Sequence, residues 1–170
     1  METNAVPVRV SSGIRSILFV CTGNTCRSPL AEALCKSQLA RTLSCSTDEL
    51  SERGFHVQSA GLAALPGQPA ALEAVAVARE LDADLSEHQS QLLSEALLTR
   101  ATDVFVMTHN HLLLLRDYFP EQGPTPRILS PTGADLDDPI GCDLSVYRSC
   151  AQAILQALDV LLPEFQKATM

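Results

Sequence analysis

Residues 17–29 read Ile17-Leu18-Phe19-Val20-Cys21-Thr22-Gly23-Asn24-Thr25-Cys26-Arg27-Ser28-Pro29. The apolar run is of strand length, the residues after it are mostly small or polar, and Pro29 opens a stretch rich in helix formers. A strand, a phosphate-sized loop and a helix start are expected in that order, a layout that can turn backbone amides and a helix dipole toward an anion. Cys21 opens the loop and Arg27 stands six positions later, which puts a nucleophile and a planar cation on one oxyanion. The thiolate is the reactive form of cysteine, and amide donors, the helix dipole and a guanidinium all favour it. Arg27 can grip two phosphoryl oxygens in a fork that a lysine cannot form. Gly23 is expected to permit a close backbone turn, Asn24 to tolerate a left-handed conformation, and Ser28 to donate to the Cys21 sulfur. Thr22, Thr25 and Cys26 complete the expected substrate-binding ring. The pattern predicts phosphoryl transfer through a cysteine nucleophile.

The chain has 170 residues, 46% of them hydrophobic, enough for one compact domain with a substantial core. Residues 1–13, with Pro7 and Ser11-Ser12-Gly13, are expected to form a flexible tail ahead of a single domain over 14–170. No apolar run reaches membrane-spanning length, and the N-terminal segment lacks the basic start and apolar middle of a signal peptide, so a cytoplasmic location is expected. Six cysteines, at 21, 26, 35, 45, 142 and 150, are then expected to be reduced and to serve the core or the chemistry. A formal net charge of −8 argues against nucleic acid and anionic membrane surfaces as partners. An acidic chain that binds phosphate must concentrate positive potential locally, and its surrounding field favours a basic group on the substrate.

Strand-length apolar segments recur at Ser16–Val20, Phe55–Ser59, Asp103–Thr108 and Arg127–Leu129. Helical patterns lie between them at 29–43, 68–82, 90–100 and 109–118. A long amphipathic helix is expected from Leu144 to Phe165, with Val146, Cys150, Ile154, Ala157 and Leu161 on its apolar face. The polar stretch Leu43 to Gly54 reads as a loop insertion or a helix extension. Strands alternating with helices predict an α/β fold of three layers, a parallel sheet with helices on both faces. Ligands of such sheets sit outside the carboxyl ends of the strands, where Cys21 falls.

Thiolate attack on phosphorus expels a poor leaving group, so a carboxylic acid is needed to protonate that group and later to activate water. Candidates cluster at Asp135, Asp137, Asp138 and Asp143. Asp138-Pro139-Ile140-Gly141 is the best of them, because proline and glycine fix a turn that can hold a carboxylate over the loop mouth. His109 and His111 are two apart at the start of an expected helix and share no face, so no metal site is expected and they read as surface or capping residues. Cys26 lies in the same loop as Cys21, which predicts a redox-sensitive pair able to form a reversible disulfide at the pocket surface.

With these residues in view, the chain resembles the low-molecular-weight protein tyrosine phosphatases over roughly residues 14 to 165. The matching features are the Cys21–Pro29 loop, Ser59-Ala60-Gly61 after the second strand, His88 in Leu85-Ser86-Glu87-His88, Met107-Thr108 closing the third strand, and Asp138-Pro139 before the last helix. The resemblance implies a four-stranded parallel sheet with flanking helices, a phosphocysteine intermediate, phosphorylated protein substrates, and neither metal nor cofactor. It implies that Cys21 is the nucleophile, Arg27 the transition-state clamp, Ser28 the thiolate partner and Asp138 the general acid and base. Asn24, Ser59 and His88 match a hydrogen-bond network that holds the loop in shape. The oligomeric state is left open, with a monomer expected.

Thr25 bears on the substrate. Most tyrosine phosphatases of this family carry isoleucine there, whereas a bacterial branch acting on phosphoarginine carries threonine, and Met107-Thr108-His109-Asn110-His111 resembles the same branch. Tyrosine-specific members usually line the cleft with aromatic rings, at positions that here correspond to Leu65 and Ile140. Each lost stacking pair is worth ~0.5–1.5 kcal/mol. Ile140 also departs from the phosphoarginine branch. Phosphoarginine in proteins is the expected substrate and phosphotyrosine the alternative. An arsenate reductase would need further cysteines between Cys45 and Cys142, and an inactive phosphate-binding adaptor would be expected to lack the cysteine, arginine or acid.

Overall fold

The computed structural model describes residues 13–167, so the tail expected over 1–13 lies, apart from Gly13, outside the described residues. Four strands, β1 (Arg15–Cys21), β2 (Phe55–Gly61), β3 (Asp103–Val106) and β4 (Arg127–Ile128), form one sheet in the order β2-β1-β3-β4. Every pairing is parallel, with Phe19 opposite Ser59 on one side and Phe105 on the other. Parallel neighbours need crossovers, and the helices α1 (Arg27–Leu43), α2 (Leu72–Glu80), α3 (Glu95–Arg100) and α4 (His109–Tyr118) lie within them. The last helix, α5 (Leu144–Lys167), follows β4.

The period of the central strand sorts its side chains between two cores. Ile17, Phe19 and Cys21 join Leu30, Leu34, Val77, Tyr147 and Ile154 on the face covered by α1, α2 and α5. Leu18 and Val20 join Leu98, Val104, Val106 and Leu115 on the face covered by α3 and α4. This is the expected three-layer arrangement. At the strand starts, away from the loop, the buried Asp103 carboxylate takes two bonds of 2.8 Å from Arg15, and Arg127 reaches it at 3.4 Å. Arg15 also lies over the Phe165 ring and Arg127 over Phe105, tying β1, β3, β4 and α5 together.

Several sequence expectations are corrected. Residues 68–71 and 90–94 are not helical, because the two segments bond to each other and to the end of β2: Ser90 N donates to Gln68 O at 2.8 Å, and Leu93 N to Gly61 O at 2.8 Å. Strand β3 stops at Val106, since Thr108 turns out to cap α4, its Oγ1 accepting from His111 N at 3.1 Å. Val146 is exposed: the buried stripe of α5 runs through Tyr147, Cys150, Ile154, Ala157 and Leu161, one position out of phase with it. Between α1 and β2 the chain makes a 3-10 turn, Thr47–Glu49, closed by Ser46 and Glu49 and anchored by buried Leu50.

Gly61 ends β2 where the strand meets the cysteine loop. A Cβ there would lie 2.5 Å from Thr22 O and 3.0 Å from Asn24 N, both backbone atoms that cannot move independently. Gly61→Ala is expected to push the strand end off the loop, lowering stability by about 1–3 kcal/mol in urea unfolding and depressing turnover far more than the lost folded fraction explains.

Candidate active site

Loop 22–26 leaves the carboxyl end of β1 and enters α1, and its polarity is sorted. Its carbonyls point outward into the scaffold: Cys21 O accepts from Leu62 N, Thr22 O from Ala63 N and Thr25 O from Ala71 N, each at 2.9 Å, while Asn24 O accepts from His88 Nε2 at 2.8 Å. Among the described residues, the amides of Gly23, Thr25 and Cys26 meet no protein acceptor. The first amides of α1 are unsatisfied by position. These donors, with the positive end of the helix dipole, make an anion cradle whose floor is Cys21.

Asn24 holds the cradle from inside. It carries the left-handed backbone, φ 56°, and is fully buried. Gly23 has no positive φ and leaves room for a Cβ, so the turn that was expected to need Gly23 is made by Asn24. The Asn24 side-chain oxygen accepts from Gln91 N at 2.9 Å, which leaves its amide nitrogen to donate to Ser28 Oγ at 2.8 Å and Ser59 Oγ at 2.9 Å. Ser28 therefore spends a lone pair on Asn24, and its single proton has two acceptors in reach, Cys21 Sγ at 2.9 Å and, at a longer 3.4 Å, Ala60 O; a Cys21 thiolate, which can only accept, draws it to the sulfur. Asn24 N also donates to that sulfur at 3.3 Å. Ser59 in turn donates a hydrogen bond to Glu32, whose other oxygen pairs with Lys36 at 2.6 Å.

Arg27 is almost completely buried beside the loop. Its Nη1 donates to Leu136 O at 2.9 Å and its Nη2 stands 3.4 Å from Asp138 Oδ2. Two of its five donors are thus engaged with the 130s segment, and the others remain for a ligand. Asp138 is about half exposed, held in its turn by Ile140 N donating to Oδ1 at 3.1 Å. Of the other candidates, Asp135 is bonded by the backbone and ring of His109, and Asp143 by Ser145 and Val146, contacts that hold both carboxyls below their ordinary range. Asp137 is exposed.

Leu65 and Ile140 are 73% and 62% exposed and form no aromatic wall. Thr25 is half-buried, and its hydroxyl makes only a long contact, 3.8 Å, to Cys26 Sγ. Cys26 does not stand at the pocket surface as expected. It is 5% exposed, its Sγ packed under the loop against Tyr147 Oη at 3.2 Å, and burial raises its pKa.

The sequence reading missed Gln91, Glu32, Tyr147 and His111. His111 is neither a surface nor a capping side chain: it is 3% exposed, with Nε2 2.8 Å from Thr22 Oγ1. Only its recurrence two residues after His109, behind a strand, hinted at it. No group of three or more metal-binding side chains occurs among the described residues, and no helix there is long and apolar enough to cross a membrane.

A parallel sheet whose central strand delivers a cysteine into an amide cradle closed by an arginine defines a cysteine-dependent phosphatase. Residues 16–170 match the family described as "Low molecular weight phosphotyrosine protein phosphatase", and the chain belongs to that family. It is 34% identical to a "Protein-arginine-phosphatase" of Geobacillus stearothermophilus, over 88% of this chain and 95% of that one. It is 32% identical to a "Probable low molecular weight protein-tyrosine-phosphatase EpsP" of Ralstonia nicotianae, over 90% and 97%. Among solved structures, the arginine phosphatase YwlE with a phosphorylated active-site serine superposes with a TM-score of 0.78 at 31% identity, covering 89% of this chain and 96% of that one.

Burial, and next the Arg27 charge, push the His111 pKa down from 6.5 to about 4, against the weaker opposite pull of Asp138 and Asp135. Between those values the unfolded chain binds the extra proton. The stability contributed by neutral His111 is therefore complete above about pH 6.5 and is lost as pH falls toward 4. In urea unfolding from pH 7 to pH 4, the wild type is expected to lose up to about 3 kcal/mol more than His111→Gln.

Proposed function

We propose that this protein is a cytoplasmic, monomeric phosphatase that removes phosphate from arginine side chains of proteins. Cys21 Sγ attacks phosphorus while Arg27 and the loop amides hold the three equatorial oxygens. The N–P bond breaks, and Asp138 gives its proton to the departing guanidine nitrogen. Asp138 then takes a proton from water, which attacks the phosphocysteine and releases phosphate and free Cys21.

The observation that carries the arginine reading is the half-buried Thr25, whose hydroxyl is held only by a long 3.8 Å contact to Cys26 Sγ. It can accept from a guanidinium N–H or orient the attacking water, which a branched apolar side chain cannot. The acidic Asp135–Asp138 segment suits a cationic group, the exposed Leu65 and Ile140 offer no ring for a phenyl ester, and the arginine-phosphatase relative points the same way. The tyrosine reading is favoured by the EpsP relative.

A protective redox role for Cys26 belongs to this proposal. Peroxide converts the Cys21 thiolate to a sulfenic acid, and the Cys26 thiol condenses with it, forming the S–S bond and releasing water.

Peptides of matched sequence bearing phosphoarginine or phosphotyrosine test the substrate. The wild type is expected to prefer phosphoarginine, and Thr25→Ile to lower that turnover about tenfold to a hundredfold, as for one lost transition-state hydrogen bond, while sparing phosphotyrosine. A wild type that prefers phosphotyrosine, or parallel losses on both peptides, overturns the arginine assignment.

A further inference from the structure

His111 and Thr22 form a pair that the steps above leave unused. His111 sits in the first turn of α4, with Nε2 2.8 Å from Thr22 Oγ1, and its Nδ1 is buried with no hydrogen-bond partner among the described residues. Two neutral tautomers are available to the ring. A proton on Nδ1 would leave a buried donor unmet, whereas a proton on Nε2 leaves only an unmet acceptor. Orphaned N–H groups are the rarer of the two in folded proteins, and Nε2 therefore carries the proton and donates to Thr22 Oγ1.

That bond sets the direction of the Thr22 hydroxyl. With a lone pair committed to His111, its own proton is free to point away from the ring. Thr22 is exposed, directly follows the nucleophile, and has its carbonyl fixed by Ala63 N at 2.9 Å. The first turn of α4 is tied to the 130s segment by His109 N donating to Asp135 Oδ1 at 2.8 Å, and that segment sets Leu136 O and Asp138 against Arg27, which places the pair on the side of the loop that carries the clamp and the acid. A phosphoryl group gripped by Arg27 is the strongest acceptor that side can present.

We propose that His111 is a positioning residue: through Thr22 it gives the loop an additional side-chain donor to a phosphoryl oxygen. The inference rests on the phosphatase reading of the loop. It does not depend on which side chain bore the phosphate, because the hydroxyl meets the group common to all such substrates.

The test uses p-nitrophenyl phosphate as substrate and inorganic phosphate as competitive inhibitor. Thr22→Val is expected to lower kcat/KM about tenfold to a hundredfold and to raise the inhibition constant for phosphate. His111→Phe is expected to cost about tenfold, and His111→Gln, which keeps an N–H donor, to restore most of that. In the double variant Thr22→Val/His111→Phe the loss is expected to equal that of Thr22→Val alone, a coupling that a merely structural histidine would not produce. Thr22→Val with full activity, losses that multiply in the double variant, or a glutamine no better than phenylalanine each overturn the proposal. Should His111→Phe fail to fold, Thr22→Ser against Thr22→Val decides, with recovery in serine expected and its absence contradicting the pair. A wild type inert toward the aryl phosphate instead overturns the phosphatase reading beneath it.

Discussion

The bond from Gln91 N to the Asn24 side-chain oxygen sets the sense of the hydrogen bonds under the catalytic loop. Because that oxygen accepts, the Asn24 amide nitrogen must donate, and Ser28 and Ser59 receive. Ser28 then keeps its proton available to a Cys21 thiolate at 2.9 Å, nearer than Ala60 O at 3.4 Å, and Ser59 donates its own to Glu32. A buried hydroxyl is ordinarily free to rotate between donor and acceptor roles; here a fixed backbone N–H narrows the choice, leaving the Ser28 proton between Cys21 Sγ at 2.9 Å and the more distant Ala60 O at 3.4 Å. The same residue takes the left-handed φ that closes the turn, so one side chain sets both the shape of the loop and the direction of its protons.

The scaffold makes this arrangement stable by supplying outward partners for the loop's carbonyls. Amides can crowd around one point only if their carbonyls are satisfied elsewhere, and Leu62, Ala63, Ala71 and His88 provide those donors. Gly61 allows the β2 end to approach the loop closely enough to do so. The chain's overall acidity does not oppose anion binding, since the buried Arg27 and the helix N-terminus act at contact distance while the surface carboxylates are screened by solvent. Asp138 reaches the same arginine from the exposed side, which brings the candidate acid and the clamp to one mouth.

Much of this was legible in the sequence because it is local. The strand, loop and helix order around Cys21, the Ser28 contact with the sulfur and the Asp138-Pro139 turn each depend on neighbours a few residues apart. The three layers followed from strand and helix periods. What could not be read depends on distant chain. Gln91 and Glu32 are ordinary polar residues until the fold sets them against Asn24 and Ser59. His111 sits on a helix whose sequence suggests an exposed first turn, yet the fold buries it with its ring against Thr22. The 90–94 segment has helical composition, yet backbone bonds to Gly61 were available to it and prevailed. Cys26 looked like a pocket residue by spacing, but at the non-helical entry to α1 its sulfur packs under the loop against Tyr147, far along the chain.

The directionality set by Asn24 is tested most directly by the near-isosteric Asn24→Asp, which tolerates the left-handed backbone but cannot donate. Ser28 would then turn its proton toward the new carboxylate and away from Cys21. Turnover of an aryl phosphate is expected to fall about a hundredfold or more, the cost of one misdirected donor at a developing charge, and to fall far less when the change is made on top of Ser28→Ala. Retained activity, or an equal loss in both backgrounds, would contradict the account.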